Sequence, residues 1–463
     1  MSMGNNSQGF GSKIGLLAAT IGSAVGLGTI WRFPAVVQSQ GGSAFLLVYF
    51  FCLLLFGIPV MLGEFSLGRA GGANVIGIFK HLTPKTRWWL VGLCGLLASY
   101  LILPFYMVVA GWGLEYLWLS LSGSIFEGID FAASSSDNCR IFSERMQQIM
   151  NSPTEPVLWT YGMILLNLFI LIKGVQKGIE KMSKVLMPVL FLLLVVFCVV
   201  SLSLPGAKEG VEFFLKPDFS KVTPQMVVYA LGQALFSLSL GMGVLLTYAA
   251  YFPKETRLTQ TSVTVSMSTL LIAVLMGLII FPAAASFGLI DNPKELSGVT
   301  LVFVTLPGVF TQMGCPQLWA ILFFFLLFVA TITSTVSIAE VTIAYLCNNF
   351  RMGRVASCCW VLLPLFLTSA ICSLSLGAVP SLQIAGLPVF DFLDNLTTNW
   401  LLPLSALGVC IYIGWCLKKD FVHSQLSNEG TLPAREAGAV RFLLRYLCPL
   451  VLLALFATTL LWK

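Results

Sequence analysis

Gly22-Ser23-Ala24-Val25-Gly26-Leu27-Gly28-Thr29-Ile30-Trp31-Arg32-Phe33-Pro34 interrupts the first long apolar segment of the chain. A membrane helix should be regular there. Instead three glycines fall within seven residues, followed by an arginine and a proline. Glycine weakens a helix interior by about 1 kcal/mol relative to alanine. A broken helix inside a bilayer requires its freed N–H and C=O groups to face protein or a watery cavity. Arg32 carries the same requirement, since a charge at that depth is costly without a partner. Glycines alone fit an ordinary helix-packing face. With Arg32 and Pro34 added, the stretch reads as an unwound segment lining a site.

The composition sets this in context. The 463 residues are 57% hydrophobic and 10% charged, with a mean hydropathy of +0.90. That excludes a soluble globular domain and fits a polytopic membrane protein whose spans need about 20 apolar residues each. The polar N-terminus gives no sign of a cleavable leader. Two histidines cannot build a His-rich metal site, and the net charge of +6 marks topology rather than a nucleic-acid surface. Most of the twelve cysteines lie in or beside apolar runs, as small hydrophobes. Cys139 and Cys315 both fall in segments read as outside, which leaves a disulfide between them open. The Asn-x-Ser/Thr triplets at Asn5 and Asn395 fall at the inner terminus and in a span, so glycosylation is not expected.

Eleven spans are expected, near 14–38, 43–68, 88–121, 156–175, 184–204, 226–251, 261–288, 317–347, 355–376, 388–417 and 440–461. With the N-terminus inside, 18 Lys and Arg lie on the inner side and 7 on the outer. The positive-inside bias therefore predicts a cytoplasmic N-terminus and an outside C-terminus. Two outer segments are long, 122–155 and 289–316; the second reads either as a lid or as a passive connector.

The break in span 1 has an echo five spans later, Ser237-Leu238-Ser239-Leu240-Gly241-Met242-Gly243 in span 6. Two glycine-interrupted spans at matching positions of oppositely inserted halves point to a transporter's midplane site. Half-helix N-termini there offer N–H groups to an anion, and C-terminal ends offer carbonyls to a cation. Span 8 carries Ala330-Thr331-Ile332-Thr333-Ser334-Thr335. Thr333 and Ser334 can turn hydroxyls toward span 1, completing an oxygen cage suited to Na⁺; the alternative is back-bonding to the helix's own carbonyls. Of the acids within spans (Glu64, Glu115, Glu340, Asp391 and Asp394), Asp394 is at the depth of Arg32 and is paired with it as a gate. Glu64 and Glu340 are expected to bond internal backbone groups. Gly178 and Pro188 bracket the inner end of span 5 and read as a hinge or a static kink. No nucleophile–His–acid set, phosphate loop or metal-spaced motif gives an enzyme any footing.

The run Gly22–Pro34, Gly41-Gly42-Ser43-Ala44-Phe45, Gly57-Ile58-Pro59, Glu64 with Gly68-Arg69, Lys177-Gly178-Ile179-Glu180-Lys181, Gly232-Gln233 through Gly243, and Thr333-Ser334 resemble the neurotransmitter:sodium symporter family across essentially the whole chain. The short, eleven-span form is similar to its prokaryotic amino-acid transporters. The resemblance implies one all-α transporter domain over 1–463 with a 5+5 inverted repeat, the first repeat near 14–204 and the second near 226–417. Helices 1 and 6 would be discontinuous, with an extra span near 440–461. It implies a second sodium site of Gly22, Val25, Ala330, Thr333 and Ser334. It also implies a substrate pocket of Ala24, Leu27, Gly28, Ile102, Tyr106, Phe236, Ser237, Ser239, Met242, Ser334 and Ile338, with Tyr106 and Phe236 forming the outer lid below Arg32 and Asp394. Gly26 stands where monoamine members carry an aspartate, so an amino acid is the implied substrate, in an apolar side-chain pocket.

Three departures qualify that likeness. The first sodium site would consist of Ala24, Thr29, Ser237 and Ser268, with hydroxyls where the family has asparagine amides; coupling through the second site alone is expected. Tyr49, Gln233 and Ser237 keep the chloride region, but no Asp or Glu occurs from 256 to 290, so chloride binding stays open. The inner-gate ion pair is absent: its positions read Ser7, Phe10 and Asn348, implying a looser gate or closure by packing. The expected function is sodium-coupled symport of a hydrophobic or aromatic amino acid by alternating access, in the cell's inner membrane. The alternative is an amino-acid receptor or exchanger that does not concentrate its ligand.

Overall fold

The computed structural model describes residues 9–216, 218–289, 296 and 298–461. The architecture is all-α apart from a two-residue hairpin, Gln383–Ile384 against Leu387–Pro388. Among the described residues nine helices are long and apolar enough to cross a membrane, and the bent pair Lys13–Ala24 (α1a) and Gly28–Ser39 (α1b), kinked by 52°, makes a tenth span. The nine are α2 (Ser43–Gly71), α3 (Trp89–Ser122), α4 (Glu155–Ile172), α5 (Val175–Leu202), α7 (Leu258–Ser286), α8 (Pro316–Asn349), α9 (Arg354–Leu374), α10 (Val389–Cys416) and α11 (Ala437–Leu460). The span read as sixth consists of α6a (Pro224–Ser237) and α6b (Val244–Ala250), each too short to cross alone. Both predicted breaks are present, and they divide the two spans that carry the glycine clusters.

The broken helices sit at the centre. α1a packs on α5, α7 and α8, while α6b lies along α2. Gly68 explains that last contact: a Cβ there would fall 2.3 Å from the Leu246 carbonyl oxygen and 2.7 Å from the Ala249 Cβ. The central helices α3 and α8 pack extensively on each other, and α4 and α9 flank them. Leucines and phenylalanines such as Leu158, Phe169, Leu192, Leu363 and Leu367 stay exposed on the outer helix faces, the pattern of a lipid-facing wall.

The described parts of the two long connecting segments include helices. Ser135–Asn151 forms a helix that packs on the buried helix Gly298–Phe310, where Gly308 admits the Cys139 thiol at 2.5 Å from the position of a Cβ. Residues 301–310 are buried throughout, so this part of the second segment is a packed element. Cys139 and Cys315 form no disulfide: Cys139 is buried with its thiol toward the Val304 carbonyl, and Cys315 is exposed.

Arg69 at the end of α2 ties two other segments together, one at Thr256 and one at Gln425–Asn428. Its guanidinium donates to the side chain and carbonyl of Gln425, to Asn428 Oδ1 at 2.7 Å and to the Thr256 carbonyl at 3.0 Å. Glu340, expected to bond backbone, instead makes a two-pronged ion pair with Arg354 at 2.8 and 2.6 Å and accepts from the Tyr251 hydroxyl at 3.0 Å. Arg354 also donates to the Leu171 carbonyl, so one arginine joins α8, α9 and α4. Glu340 is fully buried, and stranding it without its cation is costly. Arg354→Met should therefore lower unfolding free energy by about 3–5 kcal/mol. Glu340→Gln/Arg354→Met should recover most of that loss in thermal unfolding of the detergent-solubilised protein.

Candidate functional site

The backbone groups freed by the two breaks define the site. α1a ends at Val25, whose N–H still reaches the Ile21 carbonyl at 2.8 Å. Helical bonding resumes with the N–H groups of Thr29 and Ile30 on the Gly26 carbonyl. The groups between are satisfied by side chains from other elements. Ser334 Oγ lies 3.3 Å from the Gly22 oxygen and 3.4 Å from the Val25 oxygen. Ser239 Oγ donates to the Ser23 oxygen at 2.8 Å. Gln233 Nε2 donates to the Gly28 oxygen at 2.8 Å. The Leu27 N–H donates to the Tyr106 hydroxyl at 3.0 Å. The second break is equally well bound: Ser239 (φ 54°), Gly241 (φ 76°) and Gly243 (φ 74°) take left-handed conformations, and the Gly241 N–H donates to Glu64 Oε1 at 2.7 Å. Glu64 thus bonds backbone, as expected.

Glycine is required at two points of this turn. A Cβ on Gly26 would fall 2.3 Å from the Tyr106 hydroxyl and 2.5 Å from Ser334 Oγ, and one on Gly28 would fall 2.3 Å from the Phe236 ring. The same measurements show that Tyr106, Ser334 and Phe236 converge on the break. Ala24, Leu27, Ile102, Met242 and Ile338 are buried at 0–4% exposure, so side chains available to line an apolar pocket are shielded from solvent.

The hydroxyl pair of α8 divides its work. Thr333 Oγ1 bonds back to the Val329 and Ala330 carbonyls at 3.1 and 3.0 Å, while a Cβ on Gly22 would sit 3.3 Å from the Thr333 Cβ. Ser334 crosses to helix 1. Gly22, Val25, Ala330, Thr333 and Ser334 are therefore neighbours in space.

The other predicted set is not assembled. Thr29 Oγ1 is 3.5 Å from the Ala24 carbonyl, and the Ser237 hydroxyl is 2.7 Å from the Tyr49 hydroxyl. Ser268 faces elsewhere, lining a crevice with Ile14, Leu17, Ile21, Met187 and Pro188. Thr269, one position on, is wholly buried, and its hydroxyl bonds back to the Val265 carbonyl at 3.0 Å. Tyr49, Ser237 and Gln233 lie together near the break, with the Gln233 side-chain oxygen buried and unpaired among the described residues.

Arg32 and Asp394 are likewise apart, since no ion pair joins them among the described residues. The Arg32 guanidinium lies 5.2 Å above the Phe236 ring, and Asp394 accepts from Thr398 one turn along its own helix at 3.1 Å. Each has found a local partner, so Arg32 caps an aromatic ring rather than forming a salt bridge with Asp394.

The opposite side is closed by contacts that sequence reading missed. Phe10 is buried edge-on against Tyr248, with ring centroids 5.4 Å apart, and tilted on Phe252. This agrees with closure by packing; Ser7 lies outside the described residues, and Asn348 lines a cavity with Lys173 and Lys177. The Glu180 carboxylate accepts from the Gly11 N–H at 2.7 Å and the Ser12 hydroxyl at 2.9 Å, and pairs with Lys184 at 2.7 Å. Gly15 makes room for it, as a Cβ there would fall 2.2 Å from Glu180. Lys177–Lys181 was conspicuous as a motif, yet nothing in it names the N-terminus as its partner. Gly178 lies in the wide first turn of α5, 2.3 Å (from the position of a Cβ) from the Ile170 carbonyl, and α5 runs unbroken through Pro188. In this conformation Gly178 makes a tight contact, and Pro188 sits within a continuous helix.

The model of the sodium:neurotransmitter symporter family matches residues 7–139 and 129–462. The chain is 35% identical to YhdH, an uncharacterised sodium-dependent transporter of Bacillus subtilis (strain 168), over 96% of each sequence. It is 36% identical to an uncharacterised sodium-dependent transporter of Haemophilus influenzae, over 98% of each. The sodium-dependent serotonin transporter of Drosophila melanogaster matches at 26% identity, covering 96% of this chain and 75% of that protein. Among solved structures, MhsT in complex with L-phenylalanine superimposes with a TM-score of 0.87 at 35% identity, covering 98% of this chain and all of that one. With its paired helix breaks and its polar groups gathered at them, this chain belongs to the sodium:neurotransmitter symporter family and is an integral membrane transporter, not an enzyme.

Proposed function

We propose that the protein is a sodium-coupled symporter for an amino acid with an apolar or aromatic side chain, working by alternating access. The single observation that carries this is Ser334. Its hydroxyl lies 3.3 and 3.4 Å from two carbonyl oxygens of helix 1, longer than the ~2.7–2.8 Å of an ordinary O–H···O bond. Neighbouring oxygens around a hard cation ligated at about 2.3–2.6 Å stand roughly 3.3–3.7 Å apart. The Ser334 hydroxyl thus stands from the Gly22 and Val25 oxygens at the spacing of neighbours in a cation shell, which Ala330 and Thr333 would complete. Na⁺ is cargo here, and its binding would hold α1a to α8.

The substrate carboxylate would take the N–H groups at Leu27 and Gly28 with the Tyr106 hydroxyl, and Ile102, Phe236, Met242 and Ile338 would receive the side chain. Gly26 leaves no acid to meet an amine. The related structure holds L-phenylalanine, which favours the same substrate class. Phe236 with Arg32 above it would close the outer path. Release on the other side would require α1a to leave α5 and α8, which breaks the bonds of Glu180 to Gly11 and Ser12. Ion and substrate fluxes couple because both ligands bind one conformation better than the other. The Lys and Arg bias supports a cytoplasmic N-terminus in the cell membrane. The hydroxyls of Tyr49 and Ser237 with the Gln233 amide form a neutral donor set that suits chloride, without any basic residue to demand it.

In proteoliposomes, labelled L-phenylalanine or L-leucine should accumulate only with an inward Na⁺ gradient. Binding without accumulation would favour the receptor or exchanger. Ser334→Ala should raise the Na⁺ concentration for half-maximal uptake at least tenfold, equivalent to about 1.4 kcal/mol. With coupling at one site the Na⁺ dependence should have a Hill coefficient near 1; a value near 2 would restore the first site.

A further inference from the structure

The loop-side ends of α10 and α11 meet at a basic, aromatic corner that transport does not use. Gly414 brings the two backbones together, since a Cβ there would fall 2.7 Å from the Arg445 Cα. The Trp415 indole N–H donates to the Arg445 carbonyl at 3.0 Å, fixing the ring as a platform. Over that ring lies the Arg445 guanidinium, 4.4 Å from its centroid and 5.3 Å from that of Tyr446. The Arg445 Nε is buried with no hydrogen-bond partner among the described residues. One turn earlier Arg441 donates to the Lys419 carbonyl at 3.1 Å, and Lys418 and Lys419 are exposed beside it. None of these four cations makes an ion pair among the described residues, although Asp420 adjoins them in sequence.

The apolar surroundings say what neutralises them. Trp415, Phe442 and Tyr446 are 56%, 60% and 47% exposed, and Leu450 and Leu453 continue the same face of α11 at 66% and 56%. Phe442, Tyr446, Leu450 and Leu453 follow helical spacing, so an apolar track runs from the arginines toward the bilayer centre. An interfacial aromatic belt with a fixed arginine fork at one end suits a molecule with an oxyanion head and apolar tails.

We propose that this corner binds the phosphate headgroup of an anionic phospholipid in the leaflet on the N-terminal side, with Arg445 and Arg441 on the phosphate and an acyl chain along α11. A zwitterionic headgroup brings its own ammonium and leaves the cation cluster uncompensated; an anionic one does not.

The test titrates the full-length protein in neutral detergent with phosphatidylglycerol, phosphatidylcholine or inorganic phosphate, following the thermal unfolding midpoint. Phosphatidylglycerol should raise the midpoint at concentrations where the other two do not. Arg445→Gln should weaken that response about fivefold to tenfold, on the basis of ~1 kcal/mol per interfacial cation. Arg435→Gln, an exposed cation outside the corner, should leave it unchanged. If Arg445→Gln does not yield a monodisperse protein, Arg445→Lys and Arg441→Gln should each show a smaller weakening. Equal stabilisation by phosphatidylcholine, or an unchanged phosphatidylglycerol response in the arginine variants, would overturn the proposal. Stabilisation by phosphate alone would replace the lipid with a soluble anion and also overturn it.

Discussion

Everything at the centre of this protein follows from the cost of leaving a backbone amide or carbonyl unbonded away from water. Two membrane helices are broken where no solvent can repair them. The repair comes from side chains on other elements: Ser334 from α8, Ser239 and Gln233 from the sixth span, Tyr106 from α3 and Glu64 from α2. Each repair is also a tether between elements. The polarity of the proposed binding site is therefore the same polarity that ties these helices to one another.

The two ends of the proposed path are closed by different physics. At the Arg32 end, a guanidinium lies over the Phe236 ring, a contact that needs little geometric fit. At the other end, buried Phe10 is wedged against Tyr248 and Phe252, and Glu180 binds the start of α1a by two hydrogen bonds. Shape and directed bonds must both be undone there. The ion pair of Glu340 and Arg354, together with the Tyr248 hydroxyl on Ser337 at 2.7 Å, ties α8 to α9 and α6b independently of α1a. That side is held by packing and by helix capping.

The spans and both breaks were legible because glycine, proline and charge are anomalous in an apolar run, and anomalies survive without an alignment. Partnerships across helices were not. Arg32 needed a partner at its own depth, and Asp394 satisfied that criterion; depth says nothing about rotation around a helix axis, and the Phe236 ring lay closer. Ser268 failed for the related reason that each residue turns a helix by about 100°, and Ser268 faces a crevice. Arg69 looked like one positive-inside charge among many, yet it binds Gln425, Asn428 and Thr256. Partners more than 180 residues away leave no trace in local spacing.

Gly26 constrains how this transporter could change its diet over evolutionary time. Any side chain there would have to push aside both the Tyr106 hydroxyl and Ser334 Oγ, one proposed to hold substrate and the other sodium. A switch toward ligands that need an acid at this position therefore requires both hydroxyls to shift. The first step alone would disturb both groups, so accommodating shifts in α3 and α8 come with it. Substrate class and ion coupling are thereby tied into one inherited unit by the absence of a single methyl group.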